Sequence, residues 1–189
     1  MTERWRLFVA VPIGERLRAD LAAAVGVWRA RPDLVALRWS DPRTWHVTLA
    51  FIGSTDPVVV PGIVDALERV AARHAPARRP TGGLGAFPAP GRARTAWYGI
   101  RDPDGALRAL ANDLRLALRI DEPAPFRPHL TLARARAGEV DLRSWIEDAD
   151  VPSGALDVKG LELVRSHVGS GPPRHETLAV ARIGASIGV

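Results

Sequence analysis

Hydrophobic positions along the chain switch between two periods. Leu7-Phe8-Val9-Ala10-Val11 is a continuous apolar run closed by Pro12 and Gly14, which predicts a short buried strand. From Glu15 to Ala30, Leu17, Leu21, Val25 and Trp28 recur at helical spacing, with Arg16, Arg18, Asp20 and Arg29 mostly on the wet side and Pro32 as the stop. Val35–Trp39 reads as a short strand, and Asp41-Pro42 turns the chain into another over Trp45–Ile52. Ile63, Leu67 and Val70 give an apolar face to a helix over Gly62–Arg73, with His74 at its end. Pro76–Gly91 is loop-like, with room for a strand over Gly82–Pro88. Thr95–Ile100 is a strand, and Asp102–Gly105 turns into a helix over Ala106–Arg119 with Leu107, Leu110, Leu114 and Leu118 as its stripe. After breaks at Pro123 and Pro125 come a strand over Pro128–Ala135, a short helix over Leu142–Asp148, and strands over Val158–Val168 and Glu176–Ile183, joined by a loop around Gly169–Pro173.

This order lacks the regular βαβ repeat of a doubly wound parallel sheet, so the expected class is α+β with mostly antiparallel sheets. No Pro-rich stretch is long or charged enough for a linker. Two strands repeat one another. Trp45-His46-Val47-Thr48-Leu49-Ala50-Phe51 is matched by Arg127-Pro128-His129-Leu130-Thr131-Leu132-Ala133-Arg134, each a strand after a helix. Internal duplication explains this economically: residues 1–189 would form one domain of two pseudo-symmetric lobes, with one motif in each.

Composition excludes several chemistries. The chain has no cysteine, which removes disulfides, a thiolate nucleophile and sulfur-based zinc sites. Lys159 is the only lysine, and no Gly-Lys-Ser/Thr step exists for a P-loop. A Gly-x-Ser-x-Gly elbow is absent as well. The glycines of Gly82–Pro88 lack the strand-to-helix setting of a dinucleotide fingerprint and read as tight turns. No signal peptide or membrane span is visible, and the cytoplasm is the expected location. The formal net charge of +5, carried by arginines, suits an anionic ligand such as RNA or nucleotide phosphate, although a bias toward Ala and Arg gives the same charge.

The repeated motif carries the candidate chemistry. Strand alternation puts His46 with Thr48, and His129 with Thr131, on one face, and the intervening apolar residues on the other. A zinc site needs a third ligand, and the histidines show no His-x-x-x-His or His-Glu-x-x-His spacing; neither metal nor cofactor is expected. Acid–base chemistry on a phosphodiester uses all four side chains. One neutral imidazole accepts a proton, one protonated imidazole donates, and the hydroxyls donate to non-bridging phosphate oxygens. Strict alternation places Arg134 on the opposite face, out of reach unless the strand ends or twists there.

With these paired motifs the chain resembles the 2H phosphoesterase superfamily, and most of all the bacterial RNA 2′,3′-cyclic phosphodiesterases, also called 2′-5′ RNA ligases. Arg6–Ala10, Gly85–Pro88 and Trp97-Tyr98-Gly99 are similar to further segments of that branch. The resemblance implies a bilobed α+β fold with helices outside and a central cleft, and metal-independent opening of a terminal 2′,3′-cyclic phosphate to a 2′-phosphate. It also implies that His46 donates a proton to the departing 3′ oxygen, that His129 activates water, and that Thr48 and Thr131 hold the phosphate, with Arg134 a further candidate. RNA ends or nucleotides bearing a 2′,3′-cyclic phosphate would be the substrates, with no obligate protein partner. Reversible 2′-5′ ligation and a non-catalytic RNA- or nucleotide-binding module are the alternatives. His175 stands where the family usually has an aromatic residue, and Trp45 where a smaller or polar one is common.

Overall fold

The computed structural model describes residues 3–121, 124–167 and 174–185. The break expected at Pro123, the loop around Gly169–Pro173 and the end of the strand expected to reach Val168 lie outside the described residues. In chain order the elements are β1 (Trp5–Pro12), α1 (Glu15–Arg29), β2 (Leu37–Trp39), β3 (His46–Thr55), α2 (Val60–Ala72), β4 (Ala77–Phe87) and β5 (Thr95–Ile100). These are followed by α3 (Ala106–Ala117), β6 (His129–Ala135), α4 (Arg143–Asp148), β7 (Gly154–Val158), β8 (Gly160–His167) and β9 (Arg174–Arg182). The fold is α+β, and the strand pairings are antiparallel throughout the described residues, as the pattern predicts.

The strands lie in the order β7-β4-β5-β6-β3-β1-β8-β9, with β2 added to β6. One junction is unlike the others. β3 and β6 share the single pair Val47↔Leu130, whereas β1 and β3 pair along almost their whole length. The sheet therefore has two halves joined at one point, β7-β4-β5-β6 and β3-β1-β8-β9.

The helices bury the stripes their spacing predicts, except that Leu118 lies past the end of α3 and is half-buried. Leu17, Leu21, Val25 and Trp28 are the buried face of α1, and Leu107, Leu110, Ala111 and Leu114 that of α3. Two of the helices cover the sheet crosswise. α1 follows β1 yet packs against β7 in the other half, while α3 follows β5 yet packs against β3. Both halves thus share one continuous core, in which Val9, Val47, Leu130 and Leu132 are fully buried. Asp102 starts α3 by accepting from the Leu107 and Arg108 backbone N–H groups. His74, just past α2, meets Asp113 of α3 at 3.0 Å and so ties the two helices together.

Several boundaries depart from the sequence pattern. β4 starts at Ala77, inside the stretch read as loop, because pairing with β7 from Ala77↔Val158 to Thr81↔Gly154 outweighs the poor strand propensity of Pro80 and the glycines. The pattern does not predict β7. The strand foreseen from Val158 begins instead at Gly160, and Val158 closes the short edge strand before it. β2 begins only at Leu37, since Pro32–Leu34 forms a 3-10 turn. α2 begins at Val60, taking Pro61 into its first turn, where a missing N–H costs nothing. α3 ends at Ala117 because Arg119 turns into the left-handed region at φ 54°.

Candidate active site

The single β3–β6 pair brings the two histidine motifs together. Val47 and Leu130 both point into the core, so their neighbours point to the opposite face. Counting out from that pair in an antiparallel register sets His46 across from Thr131 and Thr48 across from His129. Two imidazoles and two hydroxyls thus alternate around one patch.

Both strands carry the same irregularity. On β3, Val9↔Ala50 is followed by Ala10↔Thr48, which leaves Leu49 as an extra residue. On β6, Ala96↔Ala133 is followed by Trp97↔Thr131, which leaves Leu132 as an extra residue. Each bulge makes two successive residues face the core: Leu49 with Ala50, and Leu132 with Ala133, all almost fully buried. Alternation then resumes one residue out of phase. Arg134 therefore shares the face of His129 and Thr131, which corrects the opposite placement that strict alternation gives. Its charge also acts on His129. The corresponding position of β3 is Phe51, whose ring lies 6.2 Å from that of Phe8.

Backbone carbonyls fix both imidazoles in the same way. His46 Nδ1 lies 2.7 Å from the Thr44 carbonyl, and His129 Nδ1 lies 2.7 Å from the Arg127 carbonyl. A carbonyl only accepts, so each Nδ1–H donates and each neutral ring keeps its Nε2 lone pair for the open face. Thr48 Oγ1 stands 3.0 Å from His46 Nε2 and donates to it in that tautomer. The Thr44 carbonyl is aimed by the 3-10 turn Pro42–Thr44, which Asp41 caps through the Arg43 backbone N–H at 2.8 Å. Arg18 of α1 donates to the carbonyl of Pro42 in the same turn and to that of Ile13, at 3.1 Å, which anchors the turn to the helix.

Aromatic rings wall each histidine. Phe8 stacks on His46 with centroids 4.8 Å apart, and His175 from β9 meets both rings edge-on at 5.2 Å. Phe87 meets His129 edge-on at 5.0 Å, and Trp97 lies 6.2 Å away. Trp97 can lie there only because position 85 is glycine: a Cβ on Gly85 would stand 2.1 Å from the indole ring. These walls are the residues that motif reasoning did not assign. Phe8, Phe87 and Trp97 fall in the three segments Arg6–Ala10, Gly85–Pro88 and Trp97-Tyr98-Gly99, and motif spacing assigns His175 no role.

The walls set the electrostatics. Burial pushes His46 down to about 4, against a partial offset from the Thr44 carbonyl, and the His175 and His129 charges add to the fall. His129 is lowered by burial, partly offset by the Arg127 carbonyl, and lowered further by Arg134. Burial lowers His175 as well. Among the described residues, no group of three or more His, Cys, Asp or Glu side chains is arranged to hold a metal ion.

A model of the 2′-5′ RNA ligase superfamily matches residues 17–170. The chain is a member of that superfamily. It is 29% identical over 183 residues to an RNA 2′,3′-cyclic phosphodiesterase of Geobacillus stearothermophilus, covering 94% of this chain but 57% of the relative's length. It is 32% identical over 173 residues to one of Thermus thermophilus, covering 86% of this chain and 82% of that protein. LigT of E. coli, solved in complex with 3′-AMP, superposes with a TM-score of 0.73 at 25% identity, over 97% of this chain and 100% of LigT. Among the described residues no helix is long and apolar enough to cross a membrane.

Proposed function

We propose that the protein is a metal-independent RNA 2′,3′-cyclic phosphodiesterase of the cytoplasm, which opens terminal cyclic phosphates to 2′-phosphates. The observation that carries this reading is the pair of carbonyl-fixed imidazoles, His46 and His129, with Nε2 atoms and neighbouring threonines on one face. The names of the relatives and the nucleotide held by LigT support the substrate class. The shared bulge and the shared carbonyl bond support reading residues 1–189 as one domain of two duplicated lobes.

In the proposed reaction a water attacks phosphorus and gives its proton to His129 Nε2. The P–O3′ bond breaks opposite, and the 3′ oxygen takes a proton from His46. Thr48, Thr131 and Arg134 hold the non-bridging oxygens as negative charge builds on them. A proton donor must carry its proton in the complex. His46 does not carry it at neutral pH in the free protein, since its pKa lies at about 4. The anionic phosphate has to raise it, as an opposite charge within a few ångströms does. The deeper depression of His46 favours a second reading with the two roles exchanged.

The direct test is incubation with a cyclic-phosphate RNA in the presence of chelator, with identification of the product. A 2′-phosphate is expected, and no turnover, or turnover that persists in the double variant His46→Ala/His129→Ala, rejects the reading. A 2′-5′-linked substrate run alongside measures the ligase and cleavage alternative. Ligand binding without turnover, retained by the double variant, identifies a binding module instead. A 4-nitrophenyl leaving group decides the roles, because it departs without a proton: the variant lacking the acid recovers on that ester, and the variant lacking the base does not.

A further inference from the structure

The face that carries His129 continues across β6 onto β2. The register pairs Arg38 of β2 with Arg134 of β6, and Arg134 in turn with Thr95 of β5. Paired residues of antiparallel strands point the same way, so Arg38 shares the face of Arg134, Thr131 and His129. The neighbours of Arg38 confirm its direction, because Leu37 is buried and Trp39 packs toward the core against Trp28 and Trp145. Arg134 donates to Thr95 Oγ1 at 3.1 Å. Among the described residues no carboxylate pairs with Arg38 or with Arg134.

Two exposed guanidinium groups directly opposite one another repel, and a fold gains nothing from leaving them without a counter-ion. Some arginines of this chain have one, as Arg43 has Asp41, Arg143 has Asp141 and Arg94 has Glu139. What sets Arg38 and Arg134 apart is that they stand directly opposite one another. An unneutralised pair beside the two histidines suits an anion that arrives with the substrate. Cross-strand side chains start about 5 Å apart at Cβ, and arginine is long, so the pair can span two charges carried by one extended strand.

Taking the proposed function as given, we propose that Arg38 binds the internucleotide phosphate immediately 5′ of the terminal nucleoside, next to the reacting phosphate held at Arg134. The RNA body then leaves the site over β2. The enzyme distinguishes the end of an RNA chain from a free cyclic mononucleotide by this one contact.

The experiment compares adenosine 2′,3′-cyclic phosphate with the dinucleotide ApA ending in a 2′,3′-cyclic phosphate. In the unaltered protein kcat/KM is higher for the dinucleotide. In Arg38→Ala the ratio of the two falls about tenfold, the value of one charge-assisted contact, through KM for the dinucleotide. Arg38→Lys restores part of it. The salt dependence of log KM for the dinucleotide loses a slope of about 0.7 for the lost phosphate contact on a single strand. Thermal stability of Arg38→Ala holds or rises, since a like-charge pair is relieved. Arg16→Ala, an exposed arginine on α1, leaves the ratio alone. A ratio unchanged in Arg38→Ala, or both substrates weakened equally, overturns the inference while the wild-type turnover keeps the proposed function. Wild-type protein inert on both substrates overturns both.

Discussion

The two histidine strands are built alike and surrounded differently. In each, a carbonyl two residues before the histidine holds Nδ1 at 2.7 Å, a threonine follows two residues on, and a bulge at the next leucine shifts the phase. The shared parts fix tautomer and direction. The surroundings differ. His46 is closed in by Phe8 and His175 and bonded by Thr48, and its strand continues to Phe51. The carbonyl contact of His129 is more exposed than that of His46, and the His129 strand continues to Arg134 and the arginine of β2. Burial lowers both imidazoles, more deeply at His46, while the strand of His129 also supplies positive charge. Two similar strands thus give like groups distinct environments, which the proposed division into acid and base requires.

The sharpest way to break this pairing is to remove either imidazole. His46→Ala and His129→Ala should each lower kcat/KM by about 10²–10⁴-fold on the cyclic phosphate, as expected for a lost proton-transfer group. The double variant should fall little further than the worse single one, because groups that act as a unit are not additive. A multiplicative loss would mean two independent sites. The threonines test the next level. Thr131→Val should cost about tenfold to hundredfold as a lost phosphate donor. Thr48→Val should cost more, since its hydroxyl also holds His46 Nε2, and equal losses would remove that distinction.

Much of this pairing is legible in the sequence. The alternation His-apolar-Thr-Leu survives folding because Val47, Leu49, Leu130 and Leu132 are needed by the core. The bulges are not legible, because two apolar residues in a row, Leu49-Ala50 or Leu132-Ala133, fit a strand buried on both faces as well as a bulge. Strict alternation therefore puts Arg134 on the opposite face, and only the bulge returns it to the face of His129. The walls escaped for a different reason. Phe8, Phe87 and Trp97 look like ordinary core residues, and only β1, β4 and β5 arranged around β3 and β6 bring them to the imidazoles. β4 and β7 were misjudged because mutual pairing holds them, and pairing is a long-range property.

Protonation gives a thermodynamic probe of the same asymmetry. With His46 at about 4 when folded and near 6.5 when unfolded, the unfolded chain binds the extra proton between those values. Its contribution to stability is therefore present above about pH 6.5 and lost as pH falls toward 4, by about 3 kcal/mol in all. His46→Gln should flatten that part of the denaturation profile, and an unaltered profile would contradict the burial of His46. His175→Phe is the smallest step. It keeps a ring against Phe8 and His46 but removes a charge that lowers His46, so the His46 pKa should rise. The accompanying change in kcat/KM should stay within about fivefold, as expected for one solvent-screened charge about 5 Å away.

The central claim is that His46 and His129 act on one anion, and imidazole NMR titration with inorganic phosphate tests it most directly. In free protein His46 should titrate near pH 4 with Nδ1 protonated and Nε2 bare at neutral pH. Saturating phosphate should raise both histidines together, with one dissociation constant read at each ring, and Thr131→Val should weaken both alike. Phosphate that moves one histidine and leaves the other in place would contradict a shared site.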